Sequence, residues 1–418
     1  MPTVETAITV SIPDEGTTLE ELEERVAQAM QEAGRELLLQ ACRILEGRAL
    51  AAARHQAPVQ QVKTRPRDLL TRFGWLRLQR RQVFNRGQGR YTCPLDALLA
   101  LAPRQHASPW VQEHAVALAT RLPYRQAATL LSRWLGSPVD HRTLYGWVQQ
   151  AGAQVVAAED AQQEAVFGRG EEPVSDPRVR EIVVTEVDGT FLRAQREERP
   201  EFEVRLGVLF SGKERESATA KHRRYRLRER VCYGGVEPAL AFGERLFLAG
   251  EKRLGLSRAQ HLLLVGDGAE WIEALAGHAR WRATYQLDWW HLIHALHRTF
   301  PDRPKLLSKL KRALYRGEGA GLLRLVRLAE ATGVGDPERV ARLLTYLQAN
   351  QEGFYGARRL REQLSSQARL VAVEGSGAVE KQMDLVVGRR FKGQGMRWTR
   401  RGANRLLKLR LRELERAA

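Results

Sequence analysis

Cysteine is scarce: the 418-residue chain holds Cys42, Cys93 and Cys232, and no two of them form a C-x-x-C pair. That spacing excludes a disulfide framework and points to a reducing compartment. Long apolar runs are missing too. None reaches the about 18 residues that a membrane helix needs, so no membrane span is expected. The opening stretch MPTVETAITVSIPDEGTTLEELEERV is acidic and carries no apolar signal core. Lysine is also rare, because 57 of the 67 basic residues are arginine.

What is present is positive charge. The formal net charge is +18 and the pI is near 10.3. Arginine's planar fork grips phosphate oxygens in pairs, which suits a polyanionic partner. The charge is clustered. Residues 389–416 hold eleven basic residues against Glu413 and Glu415, and Lys63 to Arg86 holds eight against Asp68. A third cluster is RPKLLSKLKRALYR, residues 303–316. Several basic surfaces fit an extended nucleic-acid path. Solvated helix faces would give the same runs.

Residues 17–52 predict one amphipathic helix, with Thr17 and Thr18 set before Glu20 and Glu21 as a capping box. Residues 53–66 read as a linker. GWLRLQRRQVF (74–84) alternates as a strand does, and NRGQG follows as a turn, giving a short basic hairpin. From Ser108 three helices follow: SPWVQEHAVALATRL, PYRQAATLLSRWLG and PVDHRTLYGWVQQAG, the last with Asp140 as N-cap. They make a helix-turn-helix candidate, with His141, Arg142 and Thr143 opening the recognition helix. A plain helical bundle fits the same pattern.

After a Gly- and Pro-containing stretch (158–178) the order becomes β-β-β-α-β-α-β, then helices to the end, which predicts an α/β layout with a mixed sheet. The first strand is REIVVTEVDGTFLRA and the third is RYRLRERVCYGG. Asp188 lies in the first strand and Asp267 ends the fourth, within LLLVGDGAEW. Carboxylates are costly on apolar strands unless something binds them, and a divalent cation relieves the repulsion between two. The first and fourth strands must be neighbours for this to work. In YQLDWWHLIHALH the histidines His291, His294 and His297 stand three apart. They drift around a helix, so no zinc site is expected from them.

That order, with aspartates on strands one and four, resembles an RNase H-like catalytic domain. The segment Asp288-Trp289-Trp290-His291 resembles the D-x-x-H motif of Mutator-like and related bacterial insertion-sequence transposases. The stretch GSGAVEKQMDLVVGRRFKGQGMRWTRRGANRLLKLR resembles the final motif of the same enzymes. The resemblance covers roughly residues 180–418. It implies a DDE transposase whose third metal-binding acid is Glu380, beside Asp188 and Asp267. It implies two Mg²⁺ ions, with Mn²⁺ able to substitute, and double-stranded DNA as partner, at both element ends and target. A homodimer or higher homo-oligomer in the DNA complex and a cytoplasmic, nucleoid-associated bacterial location go with it.

The resemblance further implies supporting roles for Asp288 and His291. His294 and His297 read as ordinary insertion residues. Arg389, Arg390, Lys392, Arg397, Arg400 and Arg401 would grip phosphates. Trp398 would either stack on a splayed base or pack in the core. Rival acids are Glu186, Glu270, Glu374 and Asp384. The distance in sequence from Asp267 to Glu380 implies an α-helical insertion. Relatives often carry paired N-terminal cysteines, but here Cys93 in RYTCPLD has no second cysteine beside it, so no zinc ribbon is expected.

The expected organisation is an N-terminal helix (1–55), a basic β-hairpin region (56–105) and a helix-turn-helix-like domain (106–165). The RNase H-like core (178–292), with a mixed five-stranded sheet, follows. The helical insertion (293–374) comes next, then the core's final helix and a basic tail (375–418). Two other functions fit the sequence: a non-catalytic DNA-binding protein derived from a transposase, and a structure-selective nuclease on the same fold.

Overall fold

The computed structural model describes residues 2–13, 16–215 and 225–416. The chain divides into two compact units, 1–151 and 152–418. In the first, α1 (Leu19–Gln56) starts at a capping box in which Thr18 and Glu21 bond each other's backbone N–H. The expected linker is instead structured. The helix runs on to Gln56, and β1 (Val59–Thr71) pairs along its length with β2 (Gly74–Asn85). Pro66 hid this strand; β1 is an edge strand, where a missing N–H is tolerated. The long hairpin is therefore β1–β2, and the turn at NRGQG leads only to the three-residue β3 (Arg90–Thr92).

Next come the short α2 (Pro94–Leu98), α3 (Pro109–Arg121) and α4 (Tyr124–Leu135), the last closed by Gly136 in the left-handed conformation. α5 (His141–Gln163) is longer than expected and passes through both units. Gly152 does not stop it. A Cβ there would stand 2.5 Å from the Cβ of Arg405, so the glycine permits a close helix approach.

In the second unit, β4 (Ile182–Arg193), β5 (Glu201–Phe210), β8 (Val231–Gly235), β9 (His261–Gly266) and β10 (Thr284–Leu287) form a five-stranded mixed sheet. Its order is β10-β9-β4-β5-β8. β5 is antiparallel to its neighbours, while β9 runs parallel to β4 and to β10. The first and fourth strands of the sheet are thus adjacent. The expected third strand is two, β7 (Tyr225–Arg228) and β8: β7 pairs with β6 (Gly212–Arg215) in a separate ribbon, and β8 joins the main sheet. The break falls at Glu229, whose φ is +50° and whose carboxylate is held by Arg178 and Arg180.

One face of the sheet is covered by α6 (Ala239–Leu254) and α7 (Glu270–Gly277), which pack Phe242, Leu246 and Ile272 on Val183 and Val187. α8 (Trp289–Thr299) opens a second core with α9 (Pro304–Arg316), α10 (Gly319–Ala331) and α11 (Pro337–Ala349). Leu292, Leu296, Phe300, Leu310 and Leu347 fill it, so the helical layer begins with α8 itself. The short α12 (Gly356–Arg361) and α13 (Ser366–Arg369) return the chain to the sheet.

α14 (Gly377–Met383) continues through a π-helical turn (Asp384–Gly388) into α15 (Arg389–Phe391), and α16 (Arg400–Arg416) ends the chain. The expected basic tail is a packed helix: Leu406, Leu407, Lys408 and Arg410 of α16 are buried. Among the described residues, no helix is long and apolar enough to cross a membrane.

Candidate metal centre

Strand register builds the centre. Glu186 on β4 pairs with Val265 on β9, and Leu287 on β10 pairs with Gly266. Continuing each ladder puts Asp188, Asp267 and Asp288 level with one another where the parallel pairing of three adjacent strands ends; β9 and β10 stop there, while β4 runs on to Arg193 against β5. Asp188 and Asp267 each accept a nearby backbone N–H, from Gly189 at 2.7 Å and Ala269 at 3.1 Å. Gly268 between them is required: at φ +93° a Cβ would meet Tyr346 at 2.7 Å and Asn350 at 2.9 Å. Tyr346 on α11 also donates to the carbonyl of Asp267 at 2.8 Å, so the helical layer grips this loop directly.

Glu380 on α14 arrives from above the sheet. Its carboxylate is 4.0 Å from His291 Nε2, which is 3.7 Å from Asp288. Asp288, His291 and Glu380 place one ligand atom each within 4.8 Å of one another. The carboxyl of Asp188 is held above the ordinary aspartate range. Burial is the main cause; the charges of Asp267 and Glu380 push the same way, and His291 and the Gly189 N–H push back. Four acids and one imidazole thus converge from β4, β9, α14 and the start of α8.

Asp288 is a fully buried brace. It caps α8 by accepting from Trp290 N at 2.8 Å, and Ser376 donates its hydroxyl to the other oxygen. The rival acids fall elsewhere. Glu374 is bound by Arg358 and Arg361, Asp384 pairs with Arg389 on the surface, and Glu270 is exposed at the start of α7. Glu186 lies beneath the centre, its carboxyl pushed by burial up to about 7.

A cleft of about 880 Å³ opens beside Asp267 and His291. His294, His297, Arg298, Arg339 and Arg342 line it. His294 and His297, read from the sequence as ordinary insertion residues, thus stand on the wall of this cleft. Helical periodicity marks which face of α8 is buried; it does not say that α11 stands opposite.

The basic residues divide. Lys392 donates to Thr190, two residues along β4 from Asp188. Arg397 and Arg401 are exposed, and Arg389 and Arg400 are half-committed to Asp384 and Glu197. Arg390 departs from the expected phosphate grip, and Trp398 takes the core alternative. Both are buried, with the Arg390 guanidinium over the Trp398 ring and the indole N–H donated to Phe391 O. Neither presents a surface to phosphate or base. In the other unit, Arg142 and Thr143 at the start of α5 are exposed, and Asp140 accepts from Arg142 N at 2.8 Å. His141 lies 3.4 Å from Asp140.

Fold and centre together define a mixed α/β protein with an acidic cluster where the parallel pairing of its strands ends. The chain belongs to UPF0236, an uncharacterised protein family whose model spans residues 12–416. A relative described as a UPF0236 protein in the vanSb 3' region, from Streptococcus gallolyticus, is 26% identical over 199 residues, which is 47% of this chain. The match spans 41% of that relative's length. Among solved structures the chain is similar to one in the Drosophila P element transposase strand transfer complex, at 13% identity and a TM-score of 0.24. That match covers 73% of this chain and 79% of that one. So low a score carries no conclusion about fold or activity.

Proposed function

We propose that the protein is a DNA transposase with an RNase H-like core, cutting and rejoining DNA at a centre formed by Asp188, Asp267 and Glu380. The observation that carries this reading is the convergence of those acids, with Asp288 and His291, where the parallel pairing of adjacent strands ends. The donors fit hard divalent cations, Mg²⁺ or Mn²⁺: Asp188, Asp267 and Glu380 offer only oxygen, and burial, with the charges of Asp267 and Glu380, raises the Asp188 carboxyl. Two such ions, when bound, supply charge stabilisation at a phosphate and a more acidic water. Asp188 holds its carboxylate from within β4 and Asp267 from just past the end of β9, and Glu380 closes the centre from α14. His291 orients Glu380, and Asp288 fixes His291. Lys392 adds positive charge beside Asp188. The cleft lined by Arg298, Arg339 and Arg342 is suited to the phosphates of a strand entering the centre.

The reading is tested with labelled duplexes taken from the DNA on either side of the gene, incubated with Mg²⁺ or Mn²⁺ and resolved by length. Cleavage followed by joining to a second DNA is the expected result. Cleavage without joining would favour a nuclease, and binding alone a regulator. His291→Ala should slow cleavage by about 10–100-fold, the usual cost of losing a group that orients metal ligands. A loss as complete as that of Asp188→Asn would make His291 a ligand.

DNA affinity should fall steeply with salt, each neutralised phosphate adding about −0.9 to the log–log slope. His141→Ala with Arg142→Ala should reduce preference for the element's ends. Arg397→Ala with Arg401→Ala should weaken binding to all sequences alike. Titrations by fluorescence anisotropy at several salt concentrations check both; end preference untouched by the first pair would remove α5 from sequence reading.

A further inference from the structure

Glu186 is a buried carboxylate two residues from Asp188 on the same face of β4. Its Oε2 accepts the N–H of Ala378 at 2.7 Å and of Val379 at 2.9 Å. Those are the second and third residues of α14, and Glu380 is the next. A helix normally finds such acceptors in its own N-cap side chain. Here Ser376 occupies the N-cap position but makes no side-chain cap, because its hydroxyl is donated to Asp288. The helix's free N–H groups are therefore met from across the fold.

We infer that Glu186 is the positioning residue of the third acid, clamping the first turn of α14 so that Glu380 stands over Asp188 and Asp267. One strand then carries both the first acid and the anchor that locates the last. The inference rests on the proposed metal centre and deepens it. What the clamp needs is an oxygen at one place, which a neutral amide also supplies. A ligand would need the charge, so the two roles separate by substitution.

The experiment is Mn²⁺ titration calorimetry of the full chain, with the cleavage assay run across Mg²⁺ concentrations and circular dichroism as a check on folding. Glu186→Gln keeps the acceptor oxygen and should stay within about threefold of the unaltered protein, well short of the 10–100-fold loss typical when a supporting group is removed. Glu186→Ala removes the oxygen and should weaken Mn²⁺ binding by about 10–100-fold. It should raise the Mg²⁺ concentration for half-maximal cleavage and leave DNA affinity unchanged. Glu186→Asp keeps the charge but withdraws the oxygen by one methylene, and should resemble alanine. It carries the comparison should the alanine variant misfold. Glu186→Gln as damaging as Asp188→Asn would make Glu186 a ligand and overturn the clamp. Alanine and aspartate variants equal to the unaltered protein would overturn it too. Asp188→Asn with full Mn²⁺ affinity would instead bring down the metal centre, and the clamp with it.

Discussion

Replacing Asp188 or Asp267 by asparagine is expected to abolish strand cleavage and strand transfer together, while DNA binding survives. The change keeps shape and removes one negative charge from the centre. Asp188 is the more sensitive position. It is half-buried, and its carboxyl is raised first by burial and then by the charges of Asp267 and Glu380, both of which a bound cation would offset. Losses of a thousandfold or more are expected, on the order of the upper range for removing one preorganised stabilising group. Glu380→Gln should behave alike. DNA affinity should hold or rise slightly, because the basic surfaces are untouched and repulsion of phosphate falls. On the proposed mechanism cleavage and transfer share these acids, so a variant that lost one reaction and kept the other would break the account.

The second large effect is on stability. Lys408→Ala is expected to destabilise the protein by about 3–5 kcal/mol, the range for breaking a buried ion pair from one side. Lys408 is 2% exposed on α16. Its ammonium is 2.9 Å from both Glu159 and Glu237 and stands 3.8 Å over the Tyr233 ring. Arg245 shares Glu237 at 2.8 Å, so the network ties α5, α6 and α16 to β8. Arg412→Ala, on the exposed side of the same helix, should change stability by about 0.5 kcal/mol or less. Urea unfolding of both variants compares them. Equal midpoints would mean that Lys408 does not hold α16 in place.

The same lysine marks where the sequence misleads. Charge density along 389–416 reads as a surface, yet Arg390, Lys408 and Arg410 are inside. Composition counts charges and cannot see ring faces or carboxylates that arrive from other elements. Strands were legible where apolar residues run together, as in IVVTEVD and HLLLVGD, and helices where caps and periodicity agree, as at Thr18 and Ser108. β1 was missed because polar residues and a proline fill an edge strand. The break at Glu229 was missed because it depends on Arg178 and Arg180, distant in sequence. Asp188 and Asp267 stood out as acids on apolar strands. Their register with Asp288, the clamp from Glu186 and the grip of Tyr346 on the Asp267 loop depend on pairing across about 20 to 190 residues, which periodicity does not report.

The most direct measurement is anomalous diffraction at the manganese edge from crystals grown with Mn²⁺. Peaks within bonding distance of the carboxylates of Asp188, Asp267 and Glu380, and lost in the Asp188→Asn protein, are what the proposed centre predicts. Ordered carboxylates with no manganese between them, or an ion held only by Asp288, His291 and Glu380 and unaffected by Asp188→Asn, would contradict it.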